Sequence, residues 1–259
     1  MKAIFRSSYG SPDVLELGDI DAPAIGADGI LVRVHAAGVN RGDVLAIEGI
    51  PYAARLTYGI ARPKHSIPGT DFAGHVEAVG TEVSGLREGD EVFGWCTGSF
   101  AELGVASQQT LATKPERLTF EQAASVPTAG VAALQALRDI GRIQPGHQVL
   151  VVGASGGVGT FAVQIAKAYG AEVTGVCSAT NADLVRSAGA DHIIDYTTED
   201  FTQSNGRYDL IVDLVGRTPL LRGRRALTST GAYVVVGSPN ARSLTGMGRF
   251  VRALALSPF

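Results

Sequence analysis

The chemistry with the clearest spelling in this chain lies in "VVGASGGVGTFAVQ" (Val151–Gln164). An apolar run leads into Ala154, Ser155, Gly156, Gly157, Val158 and Gly159, and a helical pattern follows. This is the G-x-G-x-x-G fingerprint with alanine in its first place. Gly156 and Gly157 let the backbone approach a pyrophosphate, and Gly159 lets the helix pack close to the strand, while the N–H groups of the helix start offer donors and partial positive charge. The same residues spell G-x-S-x-G through Gly153, Ser155 and Gly157, but Ser155 has no acid–histidine pair matched to it, so a hydrolase elbow is set aside. About 20 residues on, where an NAD-specific domain places an acid for the ribose 2′-hydroxyl, the chain reads "VCSATN". Ser178, Thr180 and Asn181 there can donate to a 2′-phosphate, which favours NADPH over NADH. The nearest cation is Arg186.

Those residues need a scaffold. From residue 121 onward, five apolar strands alternate with helical stretches: "HQVLVVG", "AEVTGVC", "DHIIDY", "YDLIVDLVG" and "GAYVVVGS". Continuous apolar strands alternating with helices predict a parallel sheet covered on both faces, an α/β fold. Its ligand site falls at the carboxyl ends of the strands. That adds Tyr196 beside the adenine, Val215 and Gly216 after the fourth strand, and Gly237 and Ser238 after the fifth. Thr119 and Gln122 have capping-box spacing and mark a helix start at the head of "TFEQAASVPTAGVAALQAL". Residues 1–120 read differently, as short strands between glycine and proline turns. In "GILVRVHAAGVN", Val32, Val34 and Ala36 alternate with Leu31, Arg33 and His35, predicting two distinct faces. The five histidines show no metal spacing and read as structural and unclustered.

The order of "AAGVNRGDV" (Ala36–Val44), "IPGTDFAGHVEAVG" (Ile67–Gly80), "GDEVFG" (Gly89–Gly94), "ASVPTAGVAALQAL" (Ala124–Leu137) and "GASGGVG" resembles the medium-chain dehydrogenase/reductase superfamily. The match is to its zinc-free, quinone oxidoreductase-like branch and runs along the whole chain. The resemblance implies a β-rich GroES-like catalytic domain at 1–120 and a Rossmann-type, doubly wound NAD(P)-binding domain at 121–259. It also implies hydride transfer from NADPH to a quinone or an α,β-unsaturated carbonyl. Where zinc-dependent relatives carry ligands, this chain has Asn40, Thr70 and Thr128, none of which suits zinc. No metal is therefore expected. By the same resemblance Asn40 and Thr128 lie at the cofactor, and Asn40 and Tyr52 are the catalytic candidates. Asp71 is expected to anchor a neighbouring basic residue. A non-catalytic NADPH-binding module and a zinc-type alcohol dehydrogenase remain as alternative readings.

Relatives carry a sixth strand and a returning segment that this reading does not find after "GAYVVVGS", so the nucleotide domain is expected to lack its last strand and the chain to be truncated. Relatives homo-oligomerise through that strand, so Ala232–Val236 would be left as an open edge. The remaining bulk properties exclude more than they assign. A net charge of −3 over 259 residues gives no nucleic-acid or anionic-membrane footprint. No apolar run nears the roughly 18 residues of a membrane span. Two isolated cysteines and the lack of a signal-peptide pattern predict a cytoplasmic protein. The resemblance implies a small-molecule carbonyl or quinone substrate.

Overall fold

The computed structural model describes residues 1–203, 206–237 and 248–255, with only the backbone of Phe250 and Ala255. It divides into two compact units, Met1–Thr128 and the described residues from Ala129 onward. The division falls eight residues beyond the boundary drawn from sequence rhythm.

The first unit contains β1 (Lys2–Phe5), β2 (Glu16–Asp19), β3 (Gly29–Ala37), α1 (Arg41–Glu48), α2 (Arg55–Tyr58), β4 (Asp71–Val79), β5 (Glu91–Trp95), β6 (Leu103–Ser107), β7 (Leu111–Thr113) and α3 (Phe120–Ala124). Five of these strands form an antiparallel sheet in the order β6-β3-β4-β5-β7. Ile30, Val32, Phe72, Val76 and Val92 bury one face of it. The expected alternation along β3 breaks at its end. A register shift between Val34 and Ala36 turns Ala36 away from Val32 and toward Ala73, Ala123 and Ala124.

The helix predicted to start at Thr119 does so, but it is short and a second helix follows it. The capping box forms as expected, with Gln122 N donating to Thr119 Oγ1 at 3.2 Å and Thr119 N donating to Gln122 Oε1 at 3.0 Å. Pro127 then restricts the preceding residue and closes α3 before α4 (Pro127–Leu134) begins. A π-helical turn, Gln135–Ile140, continues α4.

The second unit adds β8 (Gln148–Val152), α5 (Gly157–Ala168), β9 (Glu172–Cys177), α6 (Ala182–Ser187), β10 (His192–Asp195), β11 (Tyr208–Asp213), α7 (Leu220–Gly223), β12 (Leu227–Val235) and α8 (Gly248–Ala255). Its strands are all parallel in the order β10-β9-β8-β11-β12. This is the doubly wound arrangement with its switch point between β8 and β11. Both faces are buried, as the continuous apolar strands require. Val149 and Val151 of β8 pack in one core with Ala162 and Val163 of α5, while Leu150 and Val152 pack in the other with Phe201 and Ile211. Among the described residues β12 is an edge strand.

Candidate functional site

The turn after β8 is built for close approach. Gly153 N and Ala154 N donate to Val176 O at 3.0 and 3.1 Å, which ties the turn to the end of β9. Ala154 is fully buried, and its methyl belongs to the core rather than to a ligand surface. Gly156 is the N-cap of α5. The next two glycines have different jobs. A Cβ on Gly159 would stand 2.2 Å from Gly153 O, so helix and turn touch there as backbone on backbone. A Cβ on Gly157 would meet nothing within 4 Å. Space kept open at the first turn of a helix, where N–H groups lack intrahelical partners, is what a diphosphate requires.

That space is a cleft of about 710 Å³. Ser155, Gly156, Gly157, Val158, Tyr196 and Val215, all expected at the site, line it. Tyr196 is 63% exposed there. Ser178, Thr180 and Asn181 follow the end of β9 and bond to each other. Ser178 Oγ and Thr180 Oγ1 are 2.8 Å apart, and Asn181 Nδ2 donates to Ser178 Oγ at 3.2 Å. Arg186 donates to the neighbouring Asp183. Gly216 and Gly237 are backbone partners of Asp213: Gly216 N donates to its Oδ1 at 2.8 Å and Gly237 N to its carbonyl at 3.1 Å. Ser238 lies outside the described residues.

Sequence reasoning missed several residues of this cleft. Cys177, Glu199, Asp200, Arg217 and Thr218 also line it. Burial, with Asp195 nearby, pushes the Cys177 thiol above its ordinary range despite Arg186, so it is a neutral wall group. Asp213, wholly buried at the end of β11, escaped notice too. Its visible signal was a carboxylate inside an apolar strand, "YDLIVDLVG".

In the first unit, Asn40 is the N-cap of α1, and its backbone N donates to Asp43 Oδ2 at 2.7 Å. Its side-chain Nδ2 is buried and has no hydrogen-bond partner among the described residues. Burial raises the Asp43 pKa, opposed by the Asn40 N–H and reinforced by the charge of Asp71. Asp71 does not anchor a basic residue among those described. Its carboxylate instead accepts from Thr128 N at 2.9 Å, Thr128 Oγ1 at 2.6 Å and Thr70 Oγ1 at 3.3 Å. Trp95 Nε1 donates to Thr128 Oγ1 at 3.0 Å. Thr128 is thereby fixed on both sides in the first turn of α4. Tyr52 stands 52% exposed after Pro51, with the Arg55 guanidinium 5.1 Å from its ring centre.

Zinc does not fit the first unit's donors. Asn40, Thr70 and Thr128 supply an amide and two hydroxyls, and both hydroxyls donate to Asp71. Burial holds the nearby Cys96 thiol up at about 12, so it is not a ready thiolate. Among the described residues no three histidine, cysteine, aspartate or glutamate side chains form a metal-holding group. Two of the five histidines, His35 and His75, do come together, contrary to the sequence reading. Antiparallel β3 and β4 bring His35 Nε2 within 3.0 Å of His75 Nδ1, and both rings lie against Phe120.

Two family profiles match the chain: the alcohol dehydrogenase GroES-like domain over residues 26–136 and zinc-binding dehydrogenase over residues 157–253. Human quinone oxidoreductase is 33% identical over 248 residues, covering 92% of this chain and 73% of that protein. The chain belongs to the medium-chain dehydrogenase/reductase superfamily. Its relatives there include an NADPH-dependent alkenal/one oxidoreductase of Arabidopsis thaliana, 35% identical over 92% of this chain and 64% of that protein. The Escherichia coli quinone oxidoreductase solved with NADPH superposes with a TM-score of 0.83 at 28% identity, over 98% of this chain and 78% of that one. The GroES-like profile falls mostly in the first unit, and the second unit carries the parallel, Rossmann-type sheet. Against the Arabidopsis protein and two further curated relatives, the chain spans 52–64% of their length. No described helix is long and apolar enough to cross a membrane.

Proposed function

We propose that the chain is a zinc-independent reductase that uses NADPH to reduce a quinone or an α,β-unsaturated carbonyl. The observation that carries this reading is the open Gly157 cradle at the start of α5, at the switch point of a parallel sheet. Gly156, Gly157 and Val158 would hold the diphosphate by backbone N–H groups. Tyr196 would cover the adenine, and Ser178, Thr180 and Asn181 would meet the ribose 2′-phosphate. Ala154 and Gly237 shape the backbone around the cleft, as does Gly216, while Val215 is part of its wall. When bound, NADPH supplies a hydride.

The remaining work falls to the chain's own groups. Reducing an enone or quinone leaves negative charge on oxygen, which needs preorganised donors rather than a metal. Asn40 Nδ2, buried and unpartnered, is such a donor. Thr128, locked by Asp71 and Trp95, would offer a fixed backbone edge to the cofactor. Tyr52 offers a hydroxyl able to donate a proton. Two free cysteines, both buried, accord with a reducing compartment such as the cytoplasm. Printed names of relatives, one NADPH-dependent and acting on alkenals and enones, one a quinone oxidoreductase, support the same substrate class.

Fluorescence titration with NADPH and NADH, followed by NADPH oxidation with a quinone and an enone panel, tests the reading. Tighter NADPH binding and chelator-insensitive turnover are expected. Failure to bind NADPH overturns it, as does alcohol oxidation abolished by a chelator. Binding without any turnover would assign the chain to a non-catalytic nucleotide-binding role.

A further inference from the structure

Within the first unit, a stack of alternating cations and rings ends on Tyr52. The Arg55 guanidinium lies 5.1 Å from the Tyr52 ring centre and 4.5 Å from that of Tyr9, so two aromatic rings share it. Its direction is set by Arg55 Nε, which donates to Gly49 O at 2.8 Å. Tyr9 is held in turn. Its hydroxyl donates to Gly59 O at 2.7 Å, and the Arg6 guanidinium lies 5.3 Å from its ring centre. Arg6 is only 6% exposed, and its Nη1 donates to Ala46 O, within α1, at 2.8 Å. Gly49 closes α1 with φ +68° and leaves no spare room beside the stack. A Cβ there would stand 2.6 Å from Tyr9 Cδ1 and 2.7 Å from Arg55 Nε.

We propose that Arg55 is a positioning residue for Tyr52: stacked between the Tyr9 and Tyr52 rings and tied to the end of α1, it holds the Tyr52 ring in one orientation. The physical argument has three parts. Tyr52 is 52% exposed, and its hydroxyl has no hydrogen-bond partner among the described residues. An exposed side chain without such a tether exchanges rotamers within nanoseconds. A guanidinium within about 6 Å of the ring centre favours the rotamer that keeps the two in contact. It leaves the hydroxyl free to act. Arg55 can do this because its own place is determined by the Nε bond, by Tyr9 and by the tight fit against Gly49. An ammonium has neither the plane that lies against rings nor the Nε–H that reaches Gly49 O. A proton donor acts only within hydrogen-bond reach of its acceptor, so the orientation of Tyr52 translates into rate.

This inference rests on the reductase reading above, in which the Tyr52 hydroxyl donates a proton, and a double-mutant cycle separates the two. Full-chain wild type, Arg55→Met, Tyr52→Phe and the double variant are assayed for NADPH oxidation with 1,4-benzoquinone and with 3-nonen-2-one. Tyr52→Phe is expected to lower kcat about 100-fold, the contribution of a positioned proton donor. Arg55→Met should lower kcat about tenfold with KM within about twofold, because the orientation it maintains matters in the transition state. In the Tyr52→Phe background the same substitution should change kcat by less than about twofold, since the group it positions is gone. An equal loss in both backgrounds means that Arg55 only supports the fold, and it overturns the proposal. Arg55→Lys, which keeps charge without the plane, should fall several-fold and decides alone should the methionine variant not fold. An unchanged kcat in Arg55→Lys overturns the proposal. Full turnover by Tyr52→Phe removes the proton-donor role and the positioning of it, while the reductase reading stands. A wild-type chain that reduces neither substrate removes that reading and the inference together.

Discussion

Two glycines of one loop, two positions apart, carry opposite consequences for substitution. Gly159→Ala drives a methyl to 2.2 Å from Gly153 O, where only backbone could move aside. Overpacking of this kind costs about 1–3 kcal/mol, so chemical denaturation of Gly159→Ala should show a loss of that size together with weakened NADPH binding. Gly157→Ala meets no protein atom, and its methyl enters the cleft instead. Its midpoint should match that of wild type while its NADPH Kd rises. A Gly157→Ala chain that binds NADPH normally would show that the cradle is not where the diphosphate sits. The pair separates packing from ligand approach, the two uses that the order of glycines in a G-x-G-x-x-G string assigns to these positions.

Between elements, buried carboxylates hold helix starts. Asp71 on β4 is 1% exposed and accepts from both the N–H and the hydroxyl of Thr128, joining β4 to the first turn of α4. Asp71→Ala leaves those donors unpaired, and urea unfolding should register a loss of about 1–3 kcal/mol. Asp43, in the first turn of α1, works the other way on charge. Its native pKa lies above the unfolded value, so the folded chain holds this proton more tightly than the unfolded one does. Stability from this group is complete below about pH 4 and is lost as pH rises through the raised native value. Asp43→Asn keeps an acceptor for Asn40 N without the buried charge. Its stability relative to wild type should therefore grow as pH rises across that window, then level off. A difference that shrinks with rising pH would contradict the assignment. His35 and His75, paired across β3 and β4 under Phe120, show the same dependence of local chemistry on element contacts.

For the chain as a whole, cofactor binding and folding are linked, because a cleft formed by the ends of β8, β9 and β11 exists only in the folded state. At a free NADPH concentration about 100 times its Kd, stability should rise by about 2.7 kcal/mol. Differential scanning calorimetry with and without NADPH measures this. Added zinc or chelator should leave the midpoint unchanged, since Asn40, Thr70 and Thr128 supply no thiolate, imidazole or carboxylate. A chelator-dependent midpoint would mean that the chain carries a metal through a different set of groups.

The readable part of this protein is the part governed by near neighbours in the chain. Apolar strands alternating with helices determined the parallel sheet, Thr119 and Gln122 determined where α3 starts, and the glycine loop between β8 and α5 marked the cleft. Each rests on backbone geometry set within a few residues. Tertiary structure decided the rest, because a buried polar group takes whatever partner packing delivers. Thr128 found Asp71 across 57 residues of chain, and Arg249 found Asp213 across 36. Ala36 changed faces when a bulge entered β3, and two histidines 40 residues apart became neighbours through strand register. Within "GASGGVG" the order of the glycines marked Gly156 and Gly157 for ligand approach and Gly159 for helix packing. Only the tertiary structure supplied the atom that closes Gly159 to any side chain, Gly153 O, and the open space beside Gly157.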